Sequence, residues 1–156
     1  MKVIHWLSAG ALLASVGAAP AVAQETLVAP GPRGDLAGTL VAPAEGQPLV
    51  LIIPGSGPTD RDGNSPLGVT AAPYRLLADA LAERGIGTLR IDKRGMFASK
   101  AAVADANAVT IADYVTDTAS WVGAARTATG AECLWLLGHS EGGIVALAAA
   151  QEVPDL

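Results

Sequence analysis

The sequence is poor in cysteine, in basic residues and in long apolar runs, and each shortage excludes a class of protein. Its single cysteine, Cys133, cannot form an internal disulfide, and its apolar surroundings predict a buried side chain. Ten Lys and Arg against 15 Asp and Glu give a net charge of −5, and without a basic run this argues against nucleic-acid binding. Beyond the N-terminus no stretch approaches the roughly 20 apolar residues of a transmembrane helix, so no membrane anchor is expected.

The N-terminus has the pattern of a secretory signal peptide. Lys2 supplies a positive charge, an apolar stretch follows, and Ala21-Val22-Ala23 fits the small-residue cleavage motif. We therefore predict a signal peptide at residues 1–23, cleavage before Gln24, and export to the periplasm or the medium. Loss of Lys2 lowers the formal charge of the mature chain to about −6. The remaining residues, 24–156, have the length of one domain or part of one.

Strand patterns alternate with helix patterns along residues 24–156. A hairpin is expected in the Gly- and Pro-containing stretch 24–48, with its best strand over residues 36–41. Further strands are predicted over residues 49–53, 86–92 and 133–137, and helices from Pro73 to about residue 85, from about residue 110 to Gly130, and over residues 143–151. Apolar strands that alternate with helices predict an α/β fold, a doubly wound and mostly parallel sheet with flanking helices.

The most informative stretch is Gly138-His139-Ser140-Glu141-Gly142, between a predicted strand and a predicted helix. A G-x-S-x-G turn in that place lifts the serine hydroxyl clear of the backbone, and its glycines let the strand and the helix cross closely. Ser140 is therefore the candidate nucleophile, and the N–H of Glu141 is the first candidate donor to an oxyanion. His139 is not expected to be the base, because in a sharp turn its side chain points away from the serine. A coincidental turn in a glycine-rich chain is the alternative interpretation.

Three motifs carry a resemblance to a known family. Pro54–Asn64 reads PGSGPTDRDGN, Asp92–Gly95 reads DKRG, and Gly138–Gly143 reads GHSEGG. With these motifs the chain resembles the N-terminal half of an α/β-hydrolase of the serine aminopeptidase-like and acyl-esterase branch. The resemblance implies an α/β-hydrolase fold and makes the N–H of Ser56 the second oxyanion donor. The family often has a glycine where this chain has Phe97.

A serine nucleophile of this class needs an imidazole as base and an acid to orient it. In α/β-hydrolases both follow the serine, the acid first and the histidine second. The histidines of this sequence are His5 and His139, and residues 141–156 contain none. We therefore expect a domain cut off after the elbow helix. The chain alone is then expected to be inactive, and to associate through the edge of its last strand.

Hydrolysis of carboxylic esters or similar small acyl substrates is the predicted function, without a metal or a cofactor. The charged residues of the motifs are expected to stabilise loops. Asp60, Arg61 and Asp62 are expected to pair among themselves, with lining of the acyl pocket as the alternative, and Asp92 and Arg94 to brace the loop that follows them. An inactive truncated fragment or a non-catalytic binding module is the alternative function.

Dinucleotide binding is a further alternative, because Gly55-Ser56-Gly57 follows one predicted strand and Asp92 ends the next. The details argue against it. The third glycine of the fingerprint is absent, Pro58 stands where a helix should begin, and Asp92 lies too far along the chain. This is therefore the weakest of the interpretations.

Overall fold

The computed structural model describes residues 23–154 and 156, so the predicted signal peptide lies outside it except for Ala23. The strands within this range are β1 (Glu25–Pro30), β2 (Asp35–Val41), β3 (Leu49–Ile53), β4 (Gly87–Ile91) and β5 (Leu134–Gly138). The α-helices are α1 (Pro73–Ala82), α2 (Ile111–Thr129) and α3 (Glu141–Glu152), and short 3₁₀ helices cover Phe97–Ala102 and Ala106–Ala108. Of these described helices, none has the length and apolar character needed to cross a membrane.

The strands form one sheet in the order β1-β2-β4-β3-β5. The hairpin β1–β2 is antiparallel and pairs antiparallel with β4, whereas β4, β3 and β5 run parallel to one another. Each of the three parallel strands is followed by a helix, which confirms the predicted α/β fold and its order of elements. The hairpin is the expected antiparallel entry to an otherwise parallel sheet.

Helices cover both faces of the sheet. Alternate residues of β3 point to opposite faces, and all five are buried because each face has its own apolar cluster. Leu51 lies in the larger cluster together with Trp121 of α2 and Val145 of α3. Ile52 lies in the smaller cluster together with Tyr74 of α1. The sheet is therefore doubly wound, as the sequence predicts.

The ends of α2 follow the local sequence. The Thr110 hydroxyl accepts from the Asp113 N–H at 3.3 Å, while the Asp113 carboxylate accepts from the Thr110 N–H at 2.9 Å. The Thr110 N–H and the Thr110 hydroxyl, which donates to the same carboxylate at 2.8 Å, hold the pKa of Asp113 below its usual value. At the other end Gly130 takes a left-handed conformation, with a φ of 67°, and its N–H donates to the Arg126 carbonyl. The helix thus begins and ends where the sequence predicts.

The predicted burial of Cys133 is wrong, because its side chain is exposed. Cys133 precedes β5 and lies on the same face as Trp135, which is 61% exposed. Helix α1 packs over β4 on that side of the sheet and leaves this end of β5 open to solvent. An apolar strand pattern predicts burial only where a neighbouring element covers the strand.

Phe97 has a backbone conformation that suits glycine. Its φ is 43°, in the left-handed region, and Gly95, two residues earlier, has a φ of 79°. A side chain at such a φ costs roughly 1 to 2 kcal/mol, whereas glycine adopts it freely. The family that this sequence resembles often has a glycine at this position, and the backbone of Phe97 has the conformation expected for that glycine. The larger residue therefore makes the backbone of this loop strained.

We predict that Phe97→Gly is more stable than Phe97→Ala by about 1 kcal/mol in the free energy of unfolding. Both variants remove the half-exposed phenyl ring, so the comparison isolates the cost of a β carbon at this φ. Urea denaturation of the two variants measures the difference. An alanine variant that equals or exceeds the glycine variant in stability would contradict the prediction.

Candidate active site

The turn between β5 and α3 has the geometry of the predicted nucleophile elbow. Strand β5 ends at Gly138, helix α3 begins at Glu141, and Ser140 between them has a φ of 53° and a ψ of −118°. Residues other than glycine rarely adopt such a conformation, and it persists only where the surrounding structure enforces it. Ser140 is exposed at the end of the parallel strands. The predicted turn is therefore present, while the role of Ser140 as a nucleophile stays a prediction.

Two glycines allow the backbones of this turn to approach one another. A β carbon on Gly138 would overlap the carbonyl group of Gly142. A β carbon on Gly142 would overlap the carbonyl oxygen of Ile53 and would lie 2.7 Å from that of Pro54. The first turn of α3 thus presses directly on the end of β3. This contact enforces the conformation of Ser140.

The loop after β3 lies against the elbow. A β carbon on Gly55 would lie 3.4 Å from the β carbon of Ser140, and the His139 N–H donates to the Ile53 carbonyl at 3.1 Å. In the described part of the chain, the N–H groups of Ser56 and Glu141 have no hydrogen-bond acceptor. The structure therefore brings together the three residues that the sequence singled out, with two free donors beside Ser140. Their catalytic roles stay predictions.

His139 is held on the side of α1. The Tyr74 hydroxyl lies 2.8 Å from Nδ1 of His139, and the two rings meet edge to face with centroids 5.8 Å apart. Burial raises the pKa of Tyr74, so its hydroxyl is neutral at ordinary pH and can form this hydrogen bond as donor or acceptor. The imidazole of His139 is therefore engaged with Tyr74.

Buried charges at the end of β4 hold the loop that contains Ser56. Asp92, 2% exposed, accepts from the Arg61 backbone N–H at 2.9 Å and from the Arg61 guanidinium at 2.6 Å. Arg90 is equally buried and forms an ion pair with Asp62. The sequence predicted that the three charged residues of this loop pair among themselves. That prediction is wrong for Arg61 and Asp62, whose side chains pair with residues at the end of β4. The Asp60 carboxylate does stabilise the turn, because it accepts a hydrogen bond from the Asp62 N–H. Charges buried in the sheet need partners, and this loop supplies them.

Arg94 connects β4 to α2 and does not brace its own loop as expected. Its guanidinium donates to both carboxylate oxygens of Asp117, at 2.6 and 2.5 Å, and to Asp113 at 3.0 Å. The hydrogen bond with Asp117 raises the pKa of Arg94. Burial raises the pKa of Asp117, and the hydrogen bonds from Arg94 oppose that rise. This bidentate pair fixes the position of α2 against the strand end.

Lys93 is a site residue that the sequence analysis missed. It is 4% exposed, and its Nζ donates to the Gly55 carbonyl at 2.6 Å and to the Glu141 carboxylate at 3.0 Å. Nζ also lies 5.2 Å from the centroid of the Tyr114 ring, within the range of a cation–π contact. The only sequence signal was its place in the DKRG motif. Its partners lie 38 and 48 positions away in the chain.

A metal site is not found among residues 23–154 and 156. No group of three or more His, Cys, Asp or Glu side chains in that range is arranged to hold a metal ion. The chemistry that this arrangement supports without a metal is attack by an exposed hydroxyl next to two free N–H donors.

Comparisons with known proteins agree with the fold. Residues 67–156, more than half of the chain, match the family described as serine aminopeptidase, S33. An epoxide hydrolase from an endophytic Streptomyces is 26% identical, with a TM-score of 0.64 over 85% of this chain and 34% of that one. A dienelactone hydrolase from Anabaena variabilis is 23% identical, with a TM-score of 0.60 over 85% and 58% of the two chains. No curated protein matches the chain significantly.

A proline iminopeptidase-related protein from Thermus thermophilus extends the comparison. It is 23% identical, with a TM-score of 0.60 over 85% of this chain and 42% of that one. The chain thus spans from about a third to under three fifths of the lengths of these three structures. All of them share the α/β-hydrolase fold with this chain.

The two adjacent glycines of the GHSEGG motif are predicted to differ sharply in their tolerance of alanine. Gly142→Ala should lower the free energy of unfolding by about 2 kcal/mol or more, because the new β carbon overlaps backbone that cannot rotate away. Gly143→Ala is the matched control. Its β carbon would meet the Gly138 carbonyl at an ordinary 3.5 Å, so its stability should stay unchanged or rise by up to about 1 kcal/mol.

Thermal and urea denaturation of both variants test this prediction, with circular dichroism to establish folding. Equal stability of the two variants would show that α3 does not press on β3 at Gly142. A Gly143→Ala variant that is the less stable of the two would contradict it as well.

Proposed function

Because this chain belongs to the serine aminopeptidase S33 family of α/β-hydrolases, we propose that it supplies the nucleophile and the oxyanion hole of a serine hydrolase. The proposed substrates are carboxylic esters or similar small acyl compounds. The observation that carries the proposal is the conformation of Ser140, enforced at the end of β5 beside the loop of Gly55. Strain of this kind is concentrated at functional sites.

In the proposed reaction, Oγ of Ser140 attacks the acyl carbon of the substrate. The carbonyl oxygen becomes an oxyanion, which accepts hydrogen bonds from the N–H groups of Glu141 and Ser56. The hydroxyl proton passes to an imidazole and from there to the leaving alkoxide, and an acyl-enzyme remains. Water then attacks the acyl-enzyme and gives a proton to the same imidazole. The imidazole passes that proton to Oγ of Ser140 as the bond to the acyl group breaks, which releases the acid and restores the serine hydroxyl.

The base and its orienting acid are proposed to lie in the part of the hydrolase domain that this chain does not span. His139 is engaged with Tyr74, and no histidine follows Ser140 in the sequence. The family order of serine, acid and histidine supports this assignment. A non-catalytic binding module is the competing function, and covalent labelling of the serine distinguishes the two.

A polypeptide that joins this chain to the rest of a hydrolase domain tests the role of Ser140. We expect a fluorophosphonate probe to label the protein and Ser140→Ala to abolish the labelling, because the probe reacts with an activated serine hydroxyl. Labelling that persists in Ser140→Ala would remove the serine from the mechanism. A protein that never labels, although folded, would favour the binding module.

The same polypeptide tests the second oxyanion donor. Ser56→Pro should lower the turnover of p-nitrophenyl butyrate by about 10² to 10³, the usual loss for one donor, because proline has no N–H. Ser56→Ala is the control, since it removes the hydroxyl and keeps the N–H, and its effect should be small. Equal losses in both variants would assign the effect to the side chain and not to the backbone donor.

We also propose that the protein is exported and that residues 1–23 are removed. Lys2, the apolar stretch and Ala21-Val22-Ala23 support this proposal. Mass spectrometry of the periplasmic or secreted product should give a chain that begins at Gln24. A mature protein that retains Lys2 would refute both the proposed cleavage before Gln24 and the proposed export by a signal peptide.

A further inference from the structure

We propose that Lys93 is a positioning residue for the oxyanion hole, and that it acts by holding the peptide group between Gly55 and Ser56. This inference rests on the proposed function, because it concerns the donor that Ser56 contributes. It assigns a role to a buried lysine that neither the elbow motif nor the serine mechanism uses.

Lys93 holds a backbone carbonyl whose peptide group also carries one of the proposed donors. Nζ of Lys93 donates to the carbonyl oxygen of Gly55 at 2.6 Å. That carbonyl and the N–H of Ser56 belong to one peptide group, which is planar and trans. Its C=O and N–H point in opposite directions, so a cation that holds the oxygen also determines where the N–H points. Rotation of this peptide would break the hydrogen bond to Nζ and turn the N–H of Ser56 with it.

Contacts on several sides hold the ammonium group of Lys93 in place. A buried ammonium group needs partners for its charge and its three donors. Lys93 has the Gly55 carbonyl, the Glu141 carboxylate at 3.0 Å and the face of Tyr114, from three separate parts of the fold. Any movement of Nζ would break contacts to all of them. Lys93 is therefore a fixed point for the peptide that it holds.

Lys93 also contacts the residue that carries the other proposed donor. The Glu141 carboxylate that Lys93 contacts belongs to the residue whose N–H is the first oxyanion donor. One ammonium group thus contacts both the peptide group that carries the Ser56 N–H and the side chain of Glu141, the residue that carries the other proposed donor. Its bond to the Gly55 carbonyl is charge-assisted and polarises the peptide, which makes the Ser56 N–H a stronger donor.

The decisive experiment is a double-mutant cycle in the polypeptide that completes the hydrolase domain. Lys93→Met should lower kcat by about 10- to 100-fold and change KM by less than about 3-fold, since it weakens a transition-state contact. In a Ser56→Pro background the same substitution should lower kcat by less than about 3-fold, because the N–H through which Lys93 acts is already absent. Lys100→Met is the matched control at an exposed lysine and should leave both constants unchanged.

The outcomes separate positioning from a structural role. Equal losses of kcat in both backgrounds, or no loss in either, would overturn the proposal while fluorophosphonate labelling of Ser140 still upheld the hydrolase. If Lys93→Met does not fold, Lys93→Arg replaces it in the same cycle. The expected loss of kcat is then smaller, about 3- to 10-fold, because the planar guanidinium group keeps the positive charge but cannot reproduce the geometry of the ammonium group.

A measurement without catalysis tests whether Lys93 holds the Gly55–Ser56 peptide group. In the 156-residue chain, the Ser56 amide proton should move upfield in the ¹H–¹⁵N spectrum of Lys93→Met and exchange faster with solvent. Lys100→Met should leave that resonance in place. An unchanged Ser56 amide in folded Lys93→Met would show that the lysine does not hold this peptide, whether or not the protein hydrolyses esters.

Discussion

The contact between the first turn of α3 and the end of β3 is the constraint on which the site depends. Gly142 lies so close to the carbonyl groups of Ile53 and Pro54 that no side chain fits between them. Because β5 pairs with β3 up to Gly138, the chain has two residues in which to reverse into the helix. The positive φ of Ser140 is the result. The same contact places the loop of Gly55 beside the serine.

The charged end of β4 is a second organising feature. The buried charges here pair with three other parts of the chain: Arg90 and Asp92 with the loop after β3, Lys93 with the elbow, and Arg94 with α2. Buried ion pairs contribute little net stability, because desolvation offsets their attraction. Their effect here is geometric: they hold loops in position around Ser140.

The sequence predicted the elements and the turn well, for local reasons. Strand β3 occupies the predicted residues because a short apolar run that ends at Pro54 is too short for a helix and favours a buried strand. Helix α2 ends at Gly130 because glycine adopts the left-handed conformation of a helix C-terminus most easily. The sequence-based predictions were wrong or incomplete where the burial or the partner of a side chain depends on residues far away in the chain. The exposure of Cys133, the pairing of Arg61 with Asp92 and the contacts of Lys93 are set by tertiary packing, which no local pattern encodes.

The pairing of β5 with β3 also has a kinetic consequence. The hairpin β1–β2 joins residues close in sequence, whereas Leu49 of β3 pairs with Leu134 of β5, across α1, β4 and α2. Closing so long a segment is entropically costly, and such contacts form late in folding. Before they form, nothing forces Ser140 into its strained conformation or brings Gly55 to its side. A partly folded chain therefore presents a serine with an ordinary backbone conformation, and the arrangement of Ser140 beside Gly55 arises only once β5 has paired with β3.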